Sequence, residues 1–255
     1  MRHALALISL VMLPWALPSR DAVCAAETII MRGDDWLPYN TAPTEAKPGF
    51  LIDIAKAAWE PHGFTIDYQL VPWARAVKDA QAGSIDVLVG AGEADKEGLL
   101  FTANPQAHSD NHFFTLPGST WVFADPSSLD AIVLGVVKDY TYLPFVDERV
   151  ASKKKVIEAT GDRPLGQLIK LLRAKRVDAL IENKLVLAAA VQSEAKPEAL
   201  RDAGTAGKID NIYLGICAKR PNAAKLLELL ESGEAEMRKD GRLAAIFARY
   251  GITTP

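Results

Sequence analysis

The sequence predicts an α/β protein made of two similar lobes with a cleft between them. Three observations carry this expectation. Strand and helix signals alternate through residues 28–90, an order that implies a parallel sheet with helical crossovers. The same grammar restarts at about residue 121. Two helical segments then close the chain and return to the first unit, which leaves two crossings, near Pro117 to Phe123 and near Ile212 to Ala218. Two crossings make a hinge and a cleft.

The first 26 residues read as a targeting segment. Arg2 and His3 precede an apolar run from Ala4 to Leu17, interrupted by Pro14. Small residues follow at Ala22, Cys24, Ala25 and Ala26, the layout of a secretory signal cleaved after Ala26. The run falls short of the ~20 residues that a membrane span needs. Lipid attachment at Cys24 fits poorly behind Asp21-Ala22-Val23.

Thr28 to Arg32 is a short apolar strand that runs into the polar-aromatic stretch Gly33 to Tyr39. Gly49 to His62 is a helix, with Phe50, Ile54, Ala57 and Ala58 on one face. Phe64 to Val71 alternates as a strand does. Trp73 to Ala82 is helical and stops at Gly83. Ile85 to Gly90 suits a strand buried on both faces. In the second unit, Trp121 to Phe123, Ile132 to Val137, Val156-Ile157 and Val177 to Ile181 read as strands. Pro164 to Ala174 and Leu185 to Gln192 read as helices, and Asn104 to Asn111 as a loop. Ile212 to Ala218 is the last strand; Asn222 to Arg238 and Arg242 to Tyr250 are the closing helices.

Composition narrows the function classes. The chain has 255 residues, 49% hydrophobic and 24% charged, with a net charge of −3, so it can bury a substantial core and lacks the basic excess of a nucleic-acid binder. Signal cleavage would leave one cysteine, Cys217, in an apolar run. It cannot form an internal disulfide and reads as a buried, inert thiol.

In open α/β sheets, ligands sit beyond the C-terminal strand ends. This sequence puts its unusual residues there: Asp35-Trp36, Pro72-Trp73 and Gly90 to Glu93. Five stretches in order then carry a family resemblance: Asp35 to Tyr39; Gly49 to Ala55; Pro72 to Ala76 with Gly83 to Val87; Leu134 to Tyr142; and Lys239 to Gly251. Together they resemble the solute-binding proteins of polar amino-acid ABC transporters. That resemblance implies the type II periplasmic binding fold, with lobe 1 from residues 27–118 plus 218–255 and lobe 2 from 119–217. It implies a monomer in the periplasm that closes on a small polar ligand and delivers it to an ABC permease. No catalytic residue, metal or cofactor is implied.

Two departures from the family pattern stand out. An Arg that pairs with the ligand's α-carboxylate is expected after the third strand, and Asp95 stands in its place. An Asp that holds the ligand's ammonium group is expected after the strand at Val177 to Ile181, and the matching residue is Asn183, beside Glu182. Both changes argue against an ordinary α-amino acid.

Each candidate contact has a structural alternative. Trp36, Tyr39 and Trp73 can stack on a ligand or pack at the lobe edge. Arg75 can hold an anion bidentately or pair with Asp79 one turn on. Glu93 and Asp95 can face a cationic or polyol ligand or belong to a solvated loop. Gly90-Ala91-Gly92 lets a ligand approach the backbone, since Asp95 replaces the last glycine of a dinucleotide fingerprint. Thr141 and Tyr142 can offer a helix N-terminus to an anion; Tyr140 is a lid ring or a packed one; Asn183 suits a neutral ligand. His108 and His112 lack the Glu and the third ligand of a zinc site. The rival functions are a ligand-reporting or accessory protein acting on a membrane signalling partner, and a dehydratase-like enzyme on the same scaffold, which would need a paired acid and base in the cleft.

Overall fold

A computed structural model describes residues 27–252 except Asp162 and Lys196, and leaves out the side chain of Lys208. The expected signal segment lies outside the described residues. The first half runs β1 (Glu27–Gly33), α1 (Phe50–Trp59), β2 (Phe64–Leu70), α2 (Trp73–Ala82) and β3 (Val87–Ala91). The strands β4 (Leu99–Leu100) and β5 (Ala107–Thr115) follow. The second half has β6 (Leu134–Val137), α3 (Pro144–Ala151), β7 (Val156–Ala159), α4 (Pro164–Arg173), β8 (Ala179–Asn183) and α5 (Lys184–Gln192). The chain returns through β9 (Arg201–Cys217) to α6 (Ala223–Asp240) and α7 (Arg242–Arg249).

The β-α-β order gives parallel pairs in both halves. β1 lies between β2 and β3, and β6 lies between β7 and β8, all parallel. Antiparallel strands join the halves. β9 pairs with β3 through residues 213–216 and with β5 through residues 201–212, and β5 pairs in turn with β8. The whole path is β2-β1-β3-β9-β5-β8-β6-β7, with β4 also on β9. The C-terminal ends of the parallel strands of both halves therefore face one central region.

The first core gathers Ile29, Met31, Phe50, Ile54 and Trp59 with Leu226, Leu230, Met237, Leu243 and Phe247 of the closing helices. The closing helices thus pack on the core of the first half. Trp59 Nε1 donates to Leu226 O at 3.0 Å, and Tyr250 OH to Asp53 at 2.8 Å. In the second half, Leu134, Val136 and Ile181 pack in one cluster and Leu168, Ile169 and Leu180 in another. Cys217 is fully buried and burial pushes its thiol up to about 12, so it is inert.

Four local readings need correction. Trp121 to Phe123 is not a strand: the Phe123 ring stacks on Phe113 at 4.4 Å, and its N–H donates to Ala203 O. These aromatics pack rather than pair. Most of the stretch expected as a loop at Asn104 to Asn111 is the start of β5. The last strand begins at Arg201, not Ile212. An additional helix, α3, follows Tyr142 and opens on Pro144. No helix among the described residues is long and apolar enough to cross a membrane.

Candidate functional site

Strand ends from both halves converge on a cavity of about 310 Å³. The first half contributes Asp34 and Trp36 after β1, Trp73 at the start of α2, Gly90 near the end of β3, and Gly92 to Asp95 after it. The second half contributes Tyr140, Thr141 and Tyr142 after β6, Asp147 from α3 and Glu182 from β8. The bridging strands add Ser109, Asn111, Asp210 and Ile212. A neighbouring groove of about 600 Å³ shares Asp34, Trp73 and Tyr140 and is also lined by Lys138 and Arg163.

Backbone detail sets the loop that carries Trp36. Gly49 has φ 114°, and a Cβ there would lie 2.3 Å from Asn40 Cα and Tyr39 O. Only glycine lets α1 pack so close under this turn. Trp36 N–H and Asn40 O close the turn at 2.9 Å. The Trp36 ring stacks on Tyr39 with centroids 4.1 Å apart. Gly90 has φ 85° at an irregularity in the β3–β9 pairing, and the Trp36 ring lies 3.8 Å from the place a Cβ would take. The missing side chain leaves room beside that ring.

Two contacts cross the cavity. Trp36 Nε1 donates to Glu182 Oε1 at 3.2 Å, and Tyr140 OH donates to Asp34 Oδ2. The Trp73 and Tyr140 rings meet edge to face at 6.3 Å. Each bond joins the first half to the second, so the cavity walls are one assembly only when the halves are together.

Six acidic residues line the cavity: Asp34, Glu93, Asp95, Asp147, Glu182 and Asp210. Among the described residues no lysine, arginine or histidine does. Among the described residues, Asp34, Asp95 and Glu182 form no ion pair, while Glu93 reaches Lys96 at 3.5 Å on the exposed loop. Burial raises the Glu182 carboxyl to about 7, against the hydrogen bonds from Asn183 N and Trp36. Burial raises Asp34 to about 6, with the charges of Asp35 and Asp95 adding to it against the bond from Tyr140. Burial also raises Asp95. Tyr140 and Tyr142 are pushed well above the ordinary phenol range by burial and by the nearby carboxylates. Such a site can hold a cation between carboxylates and rings, or use Asp34 and Glu182 as an acid and a base.

The structure brings together Trp36, Trp73, Gly90, Glu93, Asp95, Tyr140, Thr141 and Tyr142 of the expected residues. Three others lie outside the cavity wall. Tyr39 is 1% exposed, donates to His108 O at 2.5 Å and serves as the shelf under Trp36. Arg75 is exposed and pairs with Asp79 at 3.5 Å along its helix. Asn183 is buried, caps α5 by accepting from Leu185 N and Val186 N, and donates to Tyr39 and Ser109. Asp34, Asp147, Asp210 and Glu182 join the site without having been singled out. Glu182 neighbours Asn183 on β8, and successive strand residues point to opposite faces; Asp34 lies just past the end of β1.

The Tyr142 N–H does not open toward an anion. Tyr142 N–H donates to Asp147 at 3.0 Å, and α3 starts on a proline. His112 sits in β5 with its ring nitrogens hydrogen-bonded to Asp202 at 2.9 Å and to Asp110 at 3.2 Å. Among the described residues no group of three or more metal-ligating side chains converges.

A sequence model of the bacterial extracellular solute-binding proteins, family 3, matches residues 29–253. No protein of curated function matches the chain in sequence. Among solved structures, the chain is similar to a histidine kinase sensor domain with similarity to periplasmic binding proteins, at 22% identity and TM-score 0.76, covering 91% of this chain and 99% of that one. It is similar to a mutant of the arginine-binding protein ArgBP from T. maritima, at 16% identity and TM-score 0.72, covering 88% and 94%. An ancestral arginine-binding protein bound to arginine matches at 22% identity and TM-score 0.71, covering 89% and 99%. These likenesses show the two-lobed fold.

Proposed function

The chain belongs to family 3 of the bacterial extracellular solute-binding proteins, and from that premise we propose that it captures a small polar solute in the cavity between its halves. The observation that carries the reading is the pair of bridges Trp36–Glu182 and Asp34–Tyr140, which complete the cavity only when both halves contribute. A solute that touches both halves stabilises the closed form over the open one. In this reading lobe 1 is 27–118 plus 218–255, lobe 2 is 119–217, and β5 and β9 bend at the hinge. The closed form is delivered to an ABC permease outside the inner membrane, after a signal segment has been removed.

A second reading is favoured by the likeness to a histidine kinase sensor domain: the closed form reports to a signalling receptor instead. The two share the cleft and differ in the partner. Deleting the gene abolishes uptake of the solute in the first case and only the transcriptional response to it in the second.

Asp34 and Glu182 are an acid–base pair in pKa, the feature that the dehydratase alternative requires. Family membership supports binding over turnover, and each carboxylate already accepts from a ring donor across the cleft. The test is a thermal-shift screen of the chain from Glu27 onward against amines, amino acids, organic acids and sugars. Ligand at ~100 times its dissociation constant adds ~2.7 kcal/mol to stability. The bound compound is then recovered and analysed. Recovery unchanged supports capture; a dehydrated product would overturn it.

A further inference from the structure

We infer that the solute of this cleft is a small organic cation without a carboxylate group, an amine or guanidinium compound held between acidic side chains and aromatic faces. The inference rests on the reading of the cleft as a solute site and names the solute's charge. Glu182 is 3% exposed, and its Oε1 takes the two hydrogen bonds from Trp36 and Asn183. Its Oε2 accepts no hydrogen bond from the described residues, and Glu182 lines the cavity, where a donor can reach its carboxylate. Leaving such an oxygen without a donor is costly, whereas a charged donor makes the stronger class of hydrogen bond.

The walls fit the same ligand. Trp36, Trp73 and Tyr140 present rings beside Asp34 and Glu182, and a ring face attracts a cation. Among the described residues no basic side chain lines the cavity, and Lys138 and Arg163 line the neighbouring groove instead. Two backbone N–H groups on its rim are already taken, Gly92 by Asp95 at 2.9 Å and Tyr142 by Asp147 at 3.0 Å. The carboxylate of an α-amino acid would therefore face Asp34, Asp95 and Glu182 with no countercharge, and like-charge juxtaposition of this kind is strongly selective.

Agmatine and arginine test this, because they differ by one carboxylate and share the guanidinium. Isothermal titration of the chain from Glu27 onward would compare agmatine, 1,4-diaminobutane and tetramethylammonium with arginine, lysine, glutamate and glucose. The expected result is that at least one of the three cations binds, and that agmatine binds at least about tenfold tighter than arginine. Glu182→Gln keeps an acceptor for Trp36 and Asn183, and should weaken cation binding by at least about tenfold without lowering the melting temperature. Asp95→Asn, at the half-buried rim, should weaken it less, and Arg75→Ala should leave it unchanged. Arginine binding as tightly as agmatine overturns the inference. Binding of glutamate or glucose with no binding of cations also overturns it, but leaves the solute-binding reading standing. Failure of every compound, with no small molecule retained by the purified protein in native mass spectrometry, brings down both.

Discussion

Two places in this molecule bury carboxylates, and they treat them differently. In the first half, Asp86 is fully buried and paired: it accepts from Arg220 Nε at 2.6 Å and from Ile30 N–H at 2.8 Å. In the cleft, Asp34 accepts from the Tyr140 hydroxyl and Glu182 from the Trp36 indole and the Asn183 N–H, with no cation from the described residues. A buried charge is tolerated when it is paired, and otherwise the group shifts its pKa toward neutrality. Asp86 follows the first course and the cleft follows the second. Charge in the core is therefore settled within the chain, whereas charge in the cleft is left for something the chain does not contain.

The largest effect should come from breaking the settled pair. Asp86→Ala leaves Arg220 and the Ile30 N–H without their acceptor. It should cost about 3 kcal/mol by urea denaturation, at the low end for a broken buried pair because Arg220 is partly exposed. The cleft should respond in the opposite sense. Glu182 has a raised pKa in the folded state, so the native protein holds more protons than the unfolded chain between 4.5 and about 7. Stability then falls as pH rises through that window. A shift from 4.5 to about 7, at 1.36 kcal/mol per unit, corresponds to about 3 kcal/mol. Ligand-free Glu182→Gln should match the wild type at pH 4 and be more stable at pH 8 by up to that amount. A variant less stable at pH 8 would erase the contrast with Asp86.

Smaller effects sharpen the comparison. Affinity for a cation should rise between pH 5 and pH 8 as Asp34 and Glu182 ionise, with Asp95 on the same rim and the Tyr140 and Tyr142 hydroxyls remaining protonated throughout. Titration calorimetry at several pH values reads this, and a flat profile would contradict it. Trp36→Phe keeps the stack on Tyr39 but removes the bond to Glu182, and should weaken ligand binding by ~1 kcal/mol. Arg75→Ala removes an exposed one-turn pair and should change stability by no more than about 0.5 kcal/mol.

The order of strands and helices was legible because apolar periodicity carries it. α2 lies at Trp73–Ala82 as read, and Gly83 ends it at φ 75°. The strands that join the halves were less legible. Residues 201–211 read Arg-Asp-Ala-Gly-Thr-Ala-Gly-Lys-Ile-Asp-Asn, polar and glycine-bearing, with no apolar alternation to mark them. They are extended because β5 supplies their backbone partners, a cause that lies outside the segment itself. β5 has the same difficulty at its start, where His108, Ser109, Asp110 and Asn111 run together.

The site was legible to within one residue at its most informative point. The family pattern pointed at Asn183, but the cavity takes Glu182. Neighbours on a strand face opposite ways, so Asn183 turns to cap α5 while Glu182 turns inward. Past the end of β1, Asp34 lines the cavity while Asp35 accepts from Thr41 Oγ1 at 2.7 Å. Arg75 could not be placed from sequence, because pairing with Asp79 and binding an anion require the same residues.

The most direct test of the unsettled charge is a carbon-13 NMR titration of the Glu182 side-chain carboxyl, with and without saturating agmatine. It should titrate near 7 in the ligand-free protein and at least one unit lower when the cation is bound. An ordinary carboxylate value in the ligand-free protein, or no change on saturation, would contradict the account.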